Sequence, residues 1–461
     1  MEPALKKALE QIVGADNVSD ALIDLVSYSY DASGYHHRPA GAVWVTSTDQ
    51  VAAVLKLANQ EKIPVVPRGA GTGLSGVTVP IKGGIVLDLS RMNKIIDIRI
   101  EDRFVVVQPG VVYADLAAAL APHGYFFPPD PASSKAATLG GNVATNAGGI
   151  KGAKYGTTRD YVLGLQLVLA DGTVFSTGAK TMKCASGYDL ARLFVGSEGT
   201  LGVVTEIRLK INPRPKAIAT LTASFDDVKD AGHAVNEIMH SGIIPSALEI
   251  LDDQCILCLN RAMNLNMPQS AATLVVETDG YTPAECNFQM AKITEAFHRN
   301  HAQHIVMADS AEQTETLWMA RRNIYGAVAQ LYHNIIVEDV TVPISKLVDM
   351  LQGIKMIKEK YGVVIPVLGH IGDGNLHPYL AYDGTDARQA ETMRAVEAEL
   401  TELAIALGGT LTGEHGIGLG KAGYMSLEHS PEELMVMRRL KQMFDPNNIL
   451  NPGKMGLEVE A

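Results

Sequence analysis

The sequence predicts an α+β protein with two main domains, and three observations indicate this. Over residues 35–215, strand-like runs outnumber helical runs and their connections are irregular, which argues against regular strand–helix alternation. The segment 212–215 then marks a boundary, because its two prolines stop a strand and stiffen a linker. Beyond it, strands and helices alternate as in an antiparallel sheet with helices on one face, a ferredoxin-like cap. We therefore divide the chain into an N-terminal helical segment (1–34), a first domain (35–215), a substrate and metal cap (216–420) and a C-terminal segment that returns to the first domain (421–461).

The composition restricts the classes of partner. The 461 residues are enough for two or three domains with their own cores. Thirty-nine basic and 51 acidic residues give a net charge of −12, which disfavours nucleic acid and anionic membrane surfaces as partners. No apolar run reaches the length of a membrane span, and the N-terminus does not resemble a secretory signal. We expect a cytoplasmic enzyme, either free or docked at the membrane through a partner.

The four cysteines are too few for a disulfide framework in a chain of this length. Cys255 and Cys258 have the spacing of a redox or metal pair, but they lie in an apolar, helix-like run without a second pair. We interpret them as buried structural thiols, and we expect no iron–sulfur cluster within this chain.

In the first domain, apolar periodicity and turn residues define the elements in order. One or two short helices precede a turn at residues 31–34, and Ser47 with Gln50 resembles a capping box. That helix has an apolar stripe of Val51, Val54, Leu55 and Ala58. The other predictions are strands at 42–46, 85–89, 95–100 and 104–108, a helix at 113–121, and a hairpin of 161–169 and 173–176.

The cap and the C-terminal segment show alternating signals. We predict cap strands at 217–223, 247–251, 273–278, 304–307, 335–340 and 363–368, and helices at 227–240, 283–299, 311–331 and 344–361. The last helix of the chain has the clearest start, with Ser430 as N-cap and Pro431 at the first position.

Three glycine-rich stretches are grouped in the first domain. Residues 128–149 have almost no bulky apolar side chain and neither helical nor strand periodicity, so we expect no core there. Their Gly, Ala, Ser, Thr and Asn residues allow close backbone approach and supply N–H and hydroxyl donors. The loops PRGAGTGLSG (67–76) and GSEGTLG (196–202) each adjoin a strand-like run. Together they indicate one large ligand that carries phosphates and a polar ring.

These loops, with GYDL at 187–190, resemble the FAD-binding domain of the vanillyl-alcohol oxidase/p-cresol methylhydroxylase (PCMH) type. Within that type, nearly the whole chain is similar to glycolate oxidase flavoprotein subunits, D-lactate dehydrogenases and D-2-hydroxyglutarate dehydrogenases. The resemblance implies FAD, with its pyrophosphate held by residues 67–76. Some relatives attach FAD through a histidine of that loop. Thr72 stands at the matching position and the loop has no histidine, so we expect non-covalent FAD.

The residues that the resemblance implies for FAD binding lie in and after the glycine-rich loops. They are Pro67, Arg68, Gly69, Ala70, Gly71, Thr72, Gly73, Ser75, Gly76, Pro131, Gly140, Gly141, Asn142, Thr145, Asn146, Gly148, Gly149, Tyr155, Gly156, Glu198, Gly199, Gly202, Val204 and Asn451.

A second constellation lies in the C-terminal half. His370 and His377 flank a turn containing Asp373-Gly374, and Glu414 lies in a later glycine-rich turn. Two imidazoles and a carboxylate suit a divalent ion such as Zn²⁺, Mn²⁺ or Fe²⁺. Each of these residues alone is better explained as a hydrogen-bonded histidine or a surface carboxylate, but the glycines around all of them favour a site. The resemblance also implies that these three residues bind a metal.

Two further roles come from the resemblance. His415 falls where the family has its catalytic base, and Arg321 fits a W-x-x-R arginine that binds the substrate carboxylate. Arg321 and Arg322 point in different directions on a helix, so at most one faces the site; the alternative is that both are solvated.

The resulting hypothesis is an FAD-dependent dehydrogenase of short D-2-hydroxy acids, D-lactate or glycolate, that passes electrons to a separate acceptor. An iron–sulfur subunit or an electron-transferring flavoprotein is expected, with direct quinone or cytochrome reduction left open. In related D-2-hydroxyglutarate dehydrogenases a lysine pairs with the distal carboxylate; comparison places Val337 there and Tyr325 at a small hydroxyl position. The alternatives are D-2-hydroxyglutarate oxidation, a flavin-free metallohydrolase and a non-catalytic flavoprotein subunit.

Overall fold

The structure, a computed structural model, describes residues 1–458 and divides them into two units. The first unit consists of Met1–Gly148, Thr157–Arg214 and the chain from Glu414 onward. The second unit consists of Gly149–Gly156 and Pro215–Gly413. The domain limits drawn from the sequence remain predictions. No helix within residues 1–458 is both long and apolar enough to cross a membrane.

The elements of the first unit, together with one short helix of the second, fall before residue 214 and after residue 424. Their bounds are α1 Pro3–Val13, β1 Val18–Ser19, α2 Leu22–Ser27, β2 Gly41–Trp44, α3 Thr48–Gln60, β3 Val65–Arg68, β4 Ile85–Asp88, β5 Ile95–Arg99, β6 Phe104–Val107, α4 Tyr113–Leu120, β7 Tyr125–Phe126, α5 Leu139–Thr145, α6 Gly152–Tyr155 (second unit), β8 Val162–Val168, β9 Val174–Gly178, α7 Leu190–Phe194, β10 Val203–Lys210, β11 Asn212–Pro213, α14 Met425–Glu428 and α15 Pro431–Phe444.

Two sheets organise the first unit. One has the order β1-β2-β4-β3, and β4 pairs in parallel with both β2 and β3. The other is antiparallel with the order β5-β6-β10-β8-β9, and β7 pairs with β11 separately. Strand β10 alternates buried and half-buried residues along its whole length, as expected for a strand with one face on the core. The parallel strand β3 leads directly into the first glycine-rich loop.

Helix α3 begins as its sequence predicts. The Ser47 side chain accepts from Gln50 N, and Val51, Val54, Leu55 and Ala58 are buried. The second bond of the predicted capping box is not formed, because Gln50 Oε1 accepts from Thr46 N instead. This part of the prediction is therefore wrong.

The expectation of no core in residues 128–149 is also wrong, and the stretch contains a helix. Helix α5 lies inside this stretch, with Thr138 as its N-cap and Asn146 closing it in the left-handed conformation. Leu139 and Val143 are buried. Seven residues are too few for the apolar spacing of a helix to emerge above a small-residue background.

The second unit contains all the elements between residues 215 and 413. Their bounds are β12 Ala217–Phe225, α8 Val228–His240, β13 Ala247–Asp252, α9 Asp253–Met263, β14 Ala272–Gly280, α10 Pro283–Arg299, β15 Gln303–Met307, α11 Ala311–Leu331, β16 Asn334–Val337, β17 Val340–Thr341, α12 Leu347–Tyr361, β18 Val367–His370, β19 Asn375–Tyr382 and α13 Ala387–Ala406.

These strands form one eight-stranded sheet with the order β15-β12-β14-β13-β18-β19-β16, and β17 also pairs with β19. Residues alternate across it: Leu248 and Ile250 belong to the core shared with α8, α10, α12 and α13, whereas Leu251 packs against α9 and α11. Helices therefore cover both faces, and the expectation of helices on one face is wrong. Cys255 and Cys258 are buried in the smaller core beside α9 and α11, as predicted.

The predicted strand 335–340 is interrupted. It forms two short strands, β16 and β17, separated at Glu338 and Asp339. Both acidic side chains are 2% exposed. Buried carboxylates require hydrogen-bond partners, so the two acids at the break indicate a polar region inside the second unit.

Candidate functional site

The glycine-rich loops of the first unit meet one another. A Cβ at Gly69 would lie 2.1 Å from Thr138 Oγ1, so the first loop and the start of α5 approach at glycine distance. In the third loop, Glu198 N donates to Ala144 O at 2.8 Å. Asn451 Nδ2 donates to Glu198 O at 2.7 Å and to Val77 O at 3.0 Å, which attaches the C-terminal segment to the same place. The structure thus brings together four stretches that are far apart in sequence.

The residues of this region fit a large polar cofactor. Within residues 1–458, the amide nitrogen of Asn142 is buried without a hydrogen-bond partner, and so is the amide oxygen of Asn451. Buried amide groups without protein partners are costly unless something else satisfies them. Backbone amides of glycine loops and the N-terminus of α5 are donors suited to phosphate. FAD would be held by these loops.

Not every residue predicted to bind FAD has a side chain directed to that task. Arg68 Nη1 donates to Tyr30 O at 2.7 Å and to Thr78 Oγ1 at 3.1 Å, so its guanidinium connects the loop to neighbouring protein groups. Asn146 Oδ1 accepts from Arg159 N at 2.9 Å and closes α5.

Three other predicted FAD-binding residues, Gly149, Tyr155 and Gly156, belong to the second unit. There Tyr155 Oη donates to Asp279 Oδ2 at 2.7 Å. The roles of these residues toward FAD remain predictions.

A buried carboxylate supports the loop that carries Glu414 and His415. Glu198 Oε1 accepts from Ile417 N at 2.6 Å, and Oε2 accepts from Gly418 N at 2.9 Å. Ser75 Oγ donates to the carbonyl oxygen of His415 at 3.1 Å. Burial raises the pKa of Glu198 to about 7, although the two backbone donors partly oppose this rise. The candidate base therefore stands on a loop fixed by two glycine-rich motifs.

The second unit brings His370 and His377 together. They lie on the adjacent strands β18 and β19, joined by the tight turn predicted at Asp373-Gly374, and their ring centroids are 5.1 Å apart at an interplanar angle of 83°. Both histidines are about 5–6% exposed. Glu414, the third predicted metal ligand, belongs to the first unit, as does His415.

Each histidine uses its Nδ1 atom within the second unit. His370 Nδ1 donates to Glu249 Oε1 at 2.6 Å, and His377 Nδ1 donates to Glu338 O at 3.3 Å. Such bonds fix the imidazole tautomer in which Nε2 is the nitrogen that would bind a metal. The donor set therefore fits a divalent ion, which His370 and His377 would bind through Nε2.

Arg321 lies beside this pair. Its Nε donates to Glu249 Oε2 at 2.5 Å, and its side chain is 11% exposed. Arg322, the next residue, is half exposed and pairs with Glu315 at the surface. As the sequence predicts, only one of the two arginines faces inward.

Glu249 carries its charge in a fully buried position. Burial alone would raise the pKa of this carboxyl, but its interactions with His370 and Arg321 hold the pKa below its usual value. The Arg321 guanidinium, although burial opposes its charge, has a raised pKa because of Glu249.

Glu249 and Asp339 were not predicted from the sequence. Asp339 accepts from Asn375 Nδ2 at 2.6 Å and from Gly413 N at 2.9 Å, so it joins the histidine hairpin to the segment before Glu414. The available signal for Glu249 was an acidic residue in the middle of the apolar run ALEIL of β13. Asp339 had a similar signal in the acidic pair that interrupts IIVEDVTV.

An apolar and aromatic wall stands next to Arg321. Tyr325, one turn further along α11, packs edge-on against Tyr379 with centroids 6.1 Å apart. Tyr379 pairs across the sheet with Val337. Burial raises the pKa of Tyr379, so its hydroxyl stays neutral. A carboxylate bound at Arg321 would therefore have neutral groups as neighbours on this side.

Two family descriptions match the chain. "FAD linked oxidases, C-terminal domain" matches residues 214–455, and "FAD binding domain" matches residues 39–178.

Among curated relatives, the glycolate oxidase subunit GlcD of Bacillus subtilis is 43% identical and covers 98% of this chain and 96% of its own length. GlcD of Escherichia coli K12 is 35% identical, covering 94% and 86%. The D-lactate dehydrogenase of Anaerostipes hadrus is 36% identical, covering 91% and 90%.

Solved structures share the fold. A p-cresol methylhydroxylase structure with substrate bound superposes with a TM-score of 0.81 at 20% identity, covering 98% of this chain and 96% of that chain. An alkyldihydroxyacetonephosphate synthase gives 0.77 at 19%, covering 98% and 86%. At these identities the likeness concerns the fold alone.

The fold and the glycine-rich loops define an FAD-linked oxidoreductase with a PCMH-type FAD-binding domain. The chain belongs to the FAD-linked oxidase family, whose members similar to it include glycolate oxidase subunits and D-lactate dehydrogenases. The predicted α+β fold class and the family resemblance are confirmed.

Proposed function

We propose that this chain oxidises short D-2-hydroxy acids, D-lactate or glycolate, to 2-oxo acids. The observation that carries the proposal is the grouping of Arg321, His370 and His377 beside the neutral wall of Tyr325, Tyr379 and Val337. An arginine for one carboxylate, histidines for a Lewis-acidic metal and no cation on the wall suit a small monocarboxylate.

In the proposed reaction, each residue has a separate task. Arg321 binds the substrate carboxylate through its terminal nitrogens, because its Nε already donates to Glu249. His370, His377 and Glu414 would hold the metal, and His415 would accept the hydroxyl proton. When bound, FAD would supply the hydride acceptor and the metal would supply Lewis acidity. The hydroxyl proton and the hydride together account for the two-electron oxidation to the 2-oxo acid.

Reoxidation would be carried out by a separate protein. The names of the GlcD relatives describe a subunit of an oxidase, which supports an acceptor partner for this chain as well. We propose an iron–sulfur subunit or an electron-transferring flavoprotein. FAD is proposed to be non-covalent, because Thr72 stands where covalent relatives carry histidine.

The test is the visible spectrum of the purified protein under anaerobic conditions. We expect an oxidised flavin spectrum that bleaches on addition of D-lactate or glycolate. L-Lactate is the stereochemical control and should bleach it much more slowly. A protein without flavin would support the metallohydrolase, and flavin that no 2-hydroxy acid reduces would support a non-catalytic subunit; either result contradicts the proposal.

A further inference from the structure

A single buried carboxylate connects two groups to which the proposed function gives different tasks. Glu249 lies in the middle of β13, in the interior of the sheet, and its side chain is 0% exposed. Its Oε1 accepts from His370 at 2.6 Å and its Oε2 accepts from Arg321 at 2.5 Å. Each oxygen thus serves one partner.

We propose that Glu249 is a positioning residue that holds the carboxylate-binding Arg321 and the metal-binding His370 in register with each other. The inference rests on the proposed function and deepens it. Under this inference, Glu249 sets the distance between the two groups that would bind the substrate. These are Arg321, which would bind the carboxylate, and the metal, which would bind the hydroxyl. In a 2-hydroxy acid the carboxylate and the hydroxyl are on adjacent carbon atoms, so their separation is fixed and short.

The fold explains why this position has the required geometry. Strand β13 pairs with β18 in antiparallel orientation, and Ile250 lies opposite Gly369. The next position in this register sets Glu249 of β13 opposite His370 of β18. Side chains alternate along β13, and Glu249 shares its face with Ala247 and Leu251, the face covered by α9 and α11. A carboxylate on this face therefore meets Arg321 from the helix and His370 from the neighbouring strand.

The energetics argue that the pairing is specific. A buried carboxylate is stable only when its partners are well placed, and two charge-assisted bonds satisfy both oxygens here. For His370, donation from Nδ1 fixes the tautomer in which Nε2 would bind the metal, the arrangement that outer carboxylates give to histidine ligands. For Arg321, the bond at Nε leaves the Nη edge, with two parallel N–H groups, for the substrate carboxylate.

The test is Glu249→Gln, which keeps shape and volume. Both partners donate, whereas glutamine offers one accepting oxygen and one donating amide, so it cannot satisfy both of them. We expect affinity for Zn²⁺ or Mn²⁺, measured by equilibrium dialysis of the metal-free FAD protein, to fall 10–100-fold. We also expect the KM for D-lactate at saturating metal to rise about tenfold, the loss associated with roughly one good hydrogen bond.

Glu277→Gln is the matched control. Glu277 is a largely buried glutamate on the adjacent strand β14, opposite Ala247, and its Oε1 accepts from Ser246 Oγ. This variant should alter neither metal affinity nor KM by more than twofold. If Glu249→Gln has wild-type FAD content, wild-type metal affinity and wild-type KM, the inference is wrong. A change in metal affinity alone would mean that Glu249 positions only His370, and a change in KM alone would mean that it positions only Arg321. Either result contradicts the shared role.

A measurement on the unmodified chain covers the case in which Glu249→Gln does not fold. Nitrogen-15 NMR of labelled histidines in the metal-free FAD protein should show His370 protonated on Nδ1, with its signal assigned by loss in His370→Asn. A proton on Nε2 instead would overturn the inference. A wild type that binds no metal and reduces no FAD overturns the proposed function itself, whereas an active, metal-binding wild type with an unaltered Glu249→Gln overturns the inference alone.

Discussion

Arg321 and Arg322 show how neighbouring residues of one type acquire opposite roles. The sequence predicts that at most one faces the interior, because consecutive helical residues differ by about 100° in direction. The structure gives Arg321 a buried partner in Glu249 and Arg322 an exposed one in Glu315. The direction was predictable from the sequence, but the partner was not, because Glu249 is 72 residues away along the chain.

Val337 gives a prediction about substrate size. Replacement by lysine places a cation opposite Tyr379, where a distal carboxylate would otherwise be buried unpaired at a cost of several kcal/mol. We expect wild type to prefer D-lactate or glycolate over D-2-hydroxyglutarate. In Val337→Lys the ratio of kcat/KM for D-2-hydroxyglutarate over D-lactate should rise at least about tenfold, or 1.4 kcal/mol.

Ile218→Lys is the control for this experiment, since Ile218 is 54% exposed on another strand of the same sheet. It should leave the ratio unchanged. A wild type that prefers the dicarboxylate contradicts the proposed substrate. If the ratio of kcat/KM values is unchanged in Val337→Lys, Val337 does not line the substrate pocket.

His415 gives a prediction about proton transfer. His415→Asn should lower the rate of flavin reduction by D-lactate about 10²-fold or more, the usual contribution of a positioned base, with metal and FAD content unchanged. Anaerobic stopped-flow absorbance measures the rate. His429→Asn, at a histidine paired with Glu433 on α15, is the control. Loss of the metal from His415→Asn would mean that His415 is a metal ligand and that Glu414 and His415 have exchanged roles.

Glu198 gives a prediction about pH. Its folded-state pKa of about 7 lies above the usual 4.5, so the folded protein retains the proton in a range where the unfolded chain has released it. Stability from this group is complete below about pH 4.5 and falls as pH rises to about 7. Over this range Glu198→Gln, which has no proton to lose, should gain up to about 3 kcal/mol relative to wild type.

Thermal melting of both FAD-loaded proteins between pH 4.5 and 8 measures this difference. A constant difference between the two midpoints across the range would show that Glu198 is already ionised at the acidic end.

At the scale of elements, long periodic segments were predictable and short ones were not. Helices α10 and α11 agree with their predicted bounds because each combines a capping residue with an apolar stripe. Strand β18 begins at Val367, four residues later than predicted, because the apolar run before it is not paired in the sheet. Helix α13 was not predicted, although Val396, Leu400 and Ala404 bury one face of it.

The turn between β18 and β19 gives a prediction at this scale. Gly374 has φ +82°, and a Cβ there would lie 2.1 Å from Val342 O, a backbone atom that cannot rotate away. Gly374→Ala should therefore displace the hairpin that carries His370 and His377 and lower metal affinity at least tenfold. Gly362→Ala is the control, because Gly362 also has positive φ, +63°, but open space around it.

The control isolates backbone strain, which costs about 1 kcal/mol or slightly more. Equal metal affinity in the two variants would show that the hairpin tolerates the displacement and that its tight turn does not set the histidine geometry.

At the scale of the whole molecule, the sequence motifs predicted the family but not the distribution of the site over the fold. The glycine-rich loops, their order and the histidine hairpin were sufficient for the FAD-linked oxidase assignment. The placement of residues 149–156 in the second unit, although they follow the FAD loops directly, was not predictable. It depends on Lys154 and Tyr155 pairing with Asp279, a contact across about 125 residues of sequence.

This distribution predicts that metal and FAD are lost independently. The glycine-rich loops and Asn451 proposed to bind FAD lie in the first unit, whereas His377 lies in the second and is about 5% exposed. His377→Ala removes one metal ligand, and we expect turnover of D-lactate to be abolished while the flavin spectrum and FAD content stay those of wild type. Chelation of wild type should have the same effect without any change of sequence, and added Zn²⁺ or Mn²⁺ should restore wild type but not the variant.

His233→Ala, at an exposed histidine of α8, controls for loss of an imidazole. Full activity in a preparation shown to be metal-free would contradict the proposal that turnover requires a metal. Loss of FAD from His377→Ala would contradict the independence of the two sites.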